Sequence, residues 1–487
     1  MAGEHAYEPL SVEDGVPAKQ ARKRRLHLVQ LPAQLARSRL GLSLGLVFFG
    51  LLCLPILRLH LRPPRQADFL PAENPYFHTG EIWAHNDEVA ARLDRCASLG
   101  LLRTTADPPT TLSVEEEARY ASEGCGTNST TIIILSSLWF AEAFSGSSNA
   151  GEAIYAQSVI STLNYHGYAY MFSSLGWWNH DMRKTSEIYH KHRANVRAVL
   201  ADPEQVDVCW HLTEQKCVKT EENLDGIEAW RLLSFWYWDD PGNPLGAQFT
   251  LSPSPRNNNH FLSFSIEPTC HRLPFVPHSR RANPPQAYLL AKQVHYLDDT
   301  PAFSWTLPAL VDLEREFGIS VLGGMVDDDE ATSAAVKAAG LTNLGRLGKM
   351  EFYEELASSF VLVGVGRPRI SPSPWDALCM GLPFINPILE WDENDPSNRS
   401  KWHAQQWHMT DLDPPYVYSV KTHDLIGLRR AIHAALTHPI DSWIPDYMRF
   451  DFAAARMAEV VEADWRAKAE VILQDRVRTG QGELFIL

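Results

Sequence analysis

The sequence predicts an α/β fold built from two doubly wound, Rossmann-like halves that face a cleft. Three observations lead there. Short, continuous apolar runs alternate with amphipathic helical segments along residues 131–473. A stretch rich in proline, asparagine and aromatics, 236–284, divides that series into two. One late run, FVLVGVGRPRISPSPWDALCMGLPFINP at 360–387, joins a buried strand to a glycine turn, a short helix and a second strand.

At 487 residues the chain can hold two or three domains, and 45% hydrophobic with 21% charged residues is a globular composition. The N-terminal part reads differently. Residues 1–39 form a polar tail that ends in basic residues. At 40–57 come eighteen residues without a charge, just enough to span a bilayer. Seven basic residues precede the run, against Arg58, Arg62 and Arg65 after it, so the tail is expected in the cytosol. No small-residue cleavage site comes after it. Residues 58–125 read as a proline-rich stem with one helix near 87–101. The formal charge is −15; beyond residue 65, 34 Lys/Arg against 55 Asp/Glu leave −21, which argues against a nucleic-acid partner.

Of seven cysteines, Cys53 falls in the apolar run. Cys96, Cys125, Cys209, Cys217, Cys270 and Cys379 remain for pairing in an oxidising lumen, with Cys209 and Cys217 the first pair expected. Their spacing matches no zinc site. Asn128 and Asn398 head glycosylation sequons.

The first half is expected over 126–284. Its strands are read at 131–135, 168–172 and 206–211, and its helices at 152–165 and 184–200. The second half, 285–450, opens with a strand in 286–292. Helix 307–317, strand 319–322 and helices 328–339 and 350–358 lead to the late run. A strand near 416–419 and a helix at 423–436 close it. A C-terminal segment, 451–487, carries a helix at 452–473.

In the late run, Gly364 and Gly366 allow a sharp turn and close backbone approach. Ser373 and Pro374 read as a helix start, with Asp376 three residues after the cap. Two readings stand: a capping box formed by Ser373 and Asp376, or a nucleoside diphosphate at the helix end with Asp376 on its ribose. The acidic run from Asp327 to Glu330 sits where a helix begins, so capping explains it better than a metal site. No metal is expected.

The run 360–387 resembles the nucleotide-sugar signature of family 18 glycosyltransferases, with Trp375-Asp376 where that family carries Leu-Glu. AFSGSSNAGEAIYAQSVISTLNYHGYAYMFS at 143–173 and SPSPRNNNHFL at 252–262 resemble two further segments of it, so the likeness spans about 130–465. The resemblance implies a GT-B architecture. It also implies inverting transfer of N-acetylglucosamine from UDP-GlcNAc to a mannose of protein N-glycans, with a β-1,6 branch, at the Golgi membrane. Glu152 falls at the general base, a role that fits metal-free transfer to a weakly nucleophilic sugar hydroxyl. Gly364, Gly366, Arg367, Ser373, Asp376 and Lys292 fall around the donor. Asn258, Asn259 and His260 fall near the cleft, and Trp177 and Trp178 offer aromatic faces to a glycan. Position 368 is Pro368, so the Glu-x7-Glu spacing of retaining relatives is absent and inversion is favoured. Another sugar or acceptor on this fold, and a membrane-anchored lectin, are the other readings open to the sequence.

The topology is testable. In sealed microsomes a C-terminal tag is expected to resist protease while an N-terminal tag is digested; the reverse pattern would refute the orientation.

Overall fold

The computed structural model describes residues 82–104, 113–146, 148, 150–173, 182–211, 216–238, 242–255, 258–273, 275–326 and 330–487. The expected tail, the apolar run at 40–57, Trp177, Trp178 and Asp327 to Asp329 lie outside them. Among the described residues no helix is long and apolar enough to cross a membrane.

The described residues carry two mainly parallel sheets. The first contains β1 (Ile132–Leu135), β2 (Ala169–Phe172), β3 (Val196–Ala201), β4 (Leu232–Phe235), β5 (Thr250–Ser252) and β6 (His260–Phe261). Its order is β2-β1-β3-β4-β5-β6, every pairing parallel. All four residues of β1 are fully buried, as a continuous apolar run requires when helices cover both faces. The second sheet contains β7 (Gln286–Leu290), β8 (Ser320–Gly323), β9 (Thr342–Asn343), β10 (Val361–Gly364), β11 (Phe384–Glu390), β12 (His403–Ala404) and β13 (Val417–Lys421). Its order is β12-β11-β10-β7-β8-β9, with β13 also on β11 and only β12 antiparallel.

Each sheet reverses its direction of build once. In the first, β1 has β2 on one side and β3 on the other; in the second, β7 stands between β8 and β10. The connections leave a crevice at such switch points, at the carboxyl ends of the strands. The crevice of the first sheet is bordered by the segments leaving β1 and β3, and that of the second by the segments leaving β7 and β10.

Several elements differ from expectation. The helix read at 184–200 ends at His192, and 196–201 is β3. Buried Asn195 fixes the break by donating to the carbonyls of Arg103 and Thr130. The strand read at 206–211 is the helix Pro203–His211. Its buried Val206, Cys209 and Trp210 have helical spacing, and proline suits a first turn. The helix read at 452–473 is two, Phe450–Glu462 and Trp465–Thr479. Arg197 of β3 donates to the carbonyls of Val461, Glu462 and Ala463, closing the first, and Asp464 caps the second. These C-terminal helices therefore lie on the first half.

The expected stem contributes a helix to the first half. Ile82–Ser98 packs along edge strand β2, burying Val89 and Leu93. Its Asn86 side chain donates to the Phe172 carbonyl and accepts from the Phe172 N–H, acting as a short mock strand on an otherwise open edge.

Disulfides join Cys96 to Cys125, Cys209 to Cys217 as expected, and Cys270 to Cys379. The last closes a span of 109 residues and ties the end of the first-half segment to the helix Ser373–Cys379. In a chain-entropy account a loop of that size stabilises by up to about 4–5 kcal/mol. Replacing Cys270 and Cys379 together with serine is expected to lower the melting temperature by several degrees. An unchanged melting temperature would show that packing alone holds this junction.

Candidate active site

The segment after β1 runs through the helix Leu138–Ser145 to the helix Gly151–His166, whose second residue is Glu152. A side chain at Gly151 would meet the ring and hydroxyl of Tyr237 at 2.6 Å, so only glycine lets this helix end rest on that phenol. Glu152 is largely withdrawn from water, and burial raises its carboxyl above the usual carboxylate range. Its own backbone N–H, a hydrogen bond from Trp238 and the charge of Lys292 oppose the rise. Lys292 stands just past β7, at the switch point of the other sheet. Carboxyl and cation thus come from opposite halves, each from the carboxyl edge of its sheet.

Asp202, at the end of β3, faces the same crevice. It accepts from the Ser137 hydroxyl at 2.8 Å and from the Leu138 N–H at 3.4 Å. Burial pushes it up to about 7, and the charges of Glu204 and Glu152 add to the rise.

Asp376 is buried, and desolvation pushes it up to about 7 against the attraction of Lys349 and a hydrogen bond from the Tyr353 hydroxyl at 3.3 Å. The helix Ser373–Cys379 is not capped as expected. Its N-cap is Pro372, no side chain caps it, and Ser373 is the first helical residue, bonded through its N–H and hydroxyl to Ser371. A proline at the cap has no side-chain acceptor, so the Ser373–Asp376 capping box is not formed, and Asp376 points to Tyr353 instead.

The charges of both carboxylates reach Tyr237. Burial and the charges of Glu152 and Asp376 together hold its phenol far above the usual range. Its hydroxyl is buried without a hydrogen-bond partner among the described residues. Its ring lies 6.4 Å from His408, and Trp238 lies 6.4 Å from Trp407, so an aromatic bridge crosses from the first half to the second.

The other expected residues divide between packed and exposed positions. Gly364 and Gly366 are packed rather than open: a side chain at Gly364 would meet Gln405 Oε1 at 2.4 Å, and the Gly366 N–H donates to that oxygen at 2.8 Å. Gly366, at φ +103°, supplies a backbone conformation unsuited to side chains. Arg367 is exposed in the same turn. His260 lies beside Trp465 and Arg456 of the C-terminal helices, and burial with the charges of Arg456 and Lys468 lowers it to about 4. It packs the sheet to these helices and does not join the Glu152 group. Asn258 is exposed and Asn259 buried next to it. Asn128 is exposed, and Asn398 is half-buried at a short helical turn. Tyr237, Trp238, Asp202, Lys349 and Tyr353 were not singled out from the sequence; only the aromatic run 236–238 gave a signal. Two open concavities, about 730 and 520 Å³, lie elsewhere, lined around Asp207 and Arg476 and around Trp402 and Lys421. Neither contains these residues. Among the described residues no cluster of His, Cys, Asp and Glu is arranged to hold a metal ion.

Residues 248–468 match the model of glycosyltransferase family 18. That segment is similar to the family. No curated protein matches the chain. Among solved structures it is similar to AviGT4, a glycosyltransferase of avilamycin A biosynthesis, at 11% identity and a TM-score of 0.37, covering 72% of this chain and 99% of that one. A glycosyltransferase from Rickettsia africae gives 11% and 0.38, covering 71% and 98%. The UDP-GlcNAc 2-epimerase of Methanocaldococcus jannaschii gives 8% and 0.37, covering 68% and 99%. At these scores the likenesses are distant. The match over 248–468 supports a role in glycosyl transfer.

A folded-state pKa above the unfolded value stabilises the protein fully below the unfolded value and loses that stabilisation as pH rises through the folded one. Asp202 and Asp376, raised from 3.8 to about 7, therefore make the protein more stable at pH 5 than at pH 8. Asp376→Asn is expected to flatten the melting temperature between these pH values. An unaltered pH slope would contradict a neutral Asp376.

Proposed function

We propose that this chain is an inverting, metal-independent glycosyltransferase of GT-B architecture. It transfers N-acetylglucosamine from UDP-GlcNAc to a mannose of protein N-glycans, forming a β-1,6 branch. Its first 39 residues face the cytosol, the run at 40–57 anchors it in the Golgi membrane, and the two halves lie in the lumen. Three disulfides suit an oxidising compartment.

The observation that carries the reading is the buried Tyr237, which rests on the helix end that carries Glu152, approaches His408 of the other half and feels the charge of Asp376. In this account Glu152 takes the proton of the acceptor hydroxyl as its oxygen attacks the anomeric carbon. Desolvation favours the protonated product of that transfer, and the charge of Lys292 opposes it by favouring the ionised carboxyl. Asp376, with Lys349 and Tyr353, borders the nucleoside end, and Trp238 offers a ring to the acceptor beside the base. Asn258 and Asn259 edge the cleft, while Asn128 and Asn398 carry glycans.

Glu152→Gln keeps the shape of the side chain and cannot accept a proton. The turnover rate is expected to fall about 10²- to 10⁴-fold with donor affinity nearly unchanged. The wild-type rate should rise with pH along a limb above the usual carboxylate range, and excess EDTA should leave it intact. Near-normal turnover in Glu152→Gln would refute the base assignment. A loss in EDTA restored only by manganese would refute the metal-free reading.

A further inference from the structure

In and beside the turn between β10 and the helix Ser373–Cys379 stand two polar groups that the Glu152 and Asp376 group does not use. Ser304 is fully buried, and its hydroxyl stands 3.3 Å from where a side chain at Gly366 would begin. That hydroxyl has no hydrogen-bond partner among the described residues. Arg369 lies two residues beyond Arg367. Its guanidinium is half-buried, and its Nε is shielded from water without an acceptor among the described residues. Burial and the like charge of Arg367 pull it below the usual arginine range, opposed only by the charge of Glu390 at the end of β11.

A guanidinium carries five N–H donors, and one whose Nε is shielded from water without an acceptor is unfavourable. A second arginine beside it raises the cost. Both are relieved by one dianionic or trianionic ligand, and planar guanidinium donors match phosphate oxygens two at a time. The turn comes after β10 at the switch point of the second sheet, beside the strand that leads to Lys292. That is where the connections of such a sheet leave room for a phosphate.

We propose that Arg369, together with Arg367, clamps the diphosphate of the donor's leaving group. The inference rests on the donor-site reading of this turn. As the acceptor oxygen bonds to the anomeric carbon, the bond from that carbon to the β-phosphate oxygen breaks. Its electron pair goes to the departing diphosphate, and the acceptor proton goes to Glu152. The negative charge that develops on the leaving oxygen meets Arg369 and Arg367, so the two cations supply the charge stabilisation of departure.

Calorimetric titration of the full-length protein and of Arg369→Gln with inorganic pyrophosphate and UDP tests this, with uridine followed by ligand-observed NMR. Arg369→Gln is expected to weaken pyrophosphate and UDP about ten- to a hundred-fold and leave uridine unchanged. Arg369→Lys should recover part of the loss. Without ligand, Arg369→Gln should melt at or above the wild-type temperature, because a half-buried cation whose Nε has no acceptor has gone. Equal weakening of all three ligands would reduce Arg369 to a structural role and overturn the proposal, as would wild-type affinity for pyrophosphate in Arg369→Gln. Failure of the wild type to bind pyrophosphate would also overturn it. Pyrophosphate binding that depends on Arg369, with no gain from the uridine of UDP, would uphold the clamp and refute the uridine donor instead.

Discussion

Glu152 and Asp376 act on the same phenol, although 224 positions separate them and each belongs to a different half. That meeting is the constraint on which the rest of the site depends. Tyr237 can rest on the helix end that carries Glu152 only because Gly151 has no side chain, and a methyl there would overlap its ring. The helix end that carries Glu152 is thereby pressed against the boundary between the halves. The same contact withdraws the carboxyl from water and brings it into the field of Lys292.

The fold makes this meeting possible through its two switch points. Chain leaving β1 and β3 borders one crevice, and chain leaving β7 and β10 borders the other. Glu152 and Asp202 stand at the first, and Lys292 and the glycine turn at the second. The C-terminal helices fix the relation between the halves by returning to the first. The helix Phe450–Glu462 packs on Gly151–His166, and His166 bonds the Ala454 carbonyl. Glu267, just after the first sheet, accepts from Arg449 and from the Phe450 N–H. The Cys270–Cys379 disulfide adds a covalent tie near the helix that holds Asp376.

Much of this was legible because it depends on local pattern. Continuous apolar runs marked β1, β7 and β10, since strands covered on both faces have no polar side. Glu152 stood out because it comes after a glycine-rich loop at a helix start. Where neighbours rather than spacing decide, the sequence was silent or misleading. Val206, Val208 and Trp210 alternate like a strand, yet Val206, Cys209 and Trp210 bury one helical face. Ser373 and Asp376 have capping-box spacing, but Pro372 takes the cap and Tyr353 takes the carboxylate. His260 looked like a cleft residue among asparagines, and a distant helix supplied Trp465 to cover it. Arg369 carries no local signal, because only burial and the lack of an acceptor distinguish it from Arg367.

The claim at the centre is that one cleft between the two sheets receives the donor. Hydrogen–deuterium exchange of the full-length protein, with and without UDP, tests it most directly. The account expects protection along 364–379 and 349–353 and around Lys292, with a smaller effect at 151–155 and 237–238 where the first half meets the donor site. Protection confined to the concavity around 203–211 and 476–483, with none along 364–379, would contradict it.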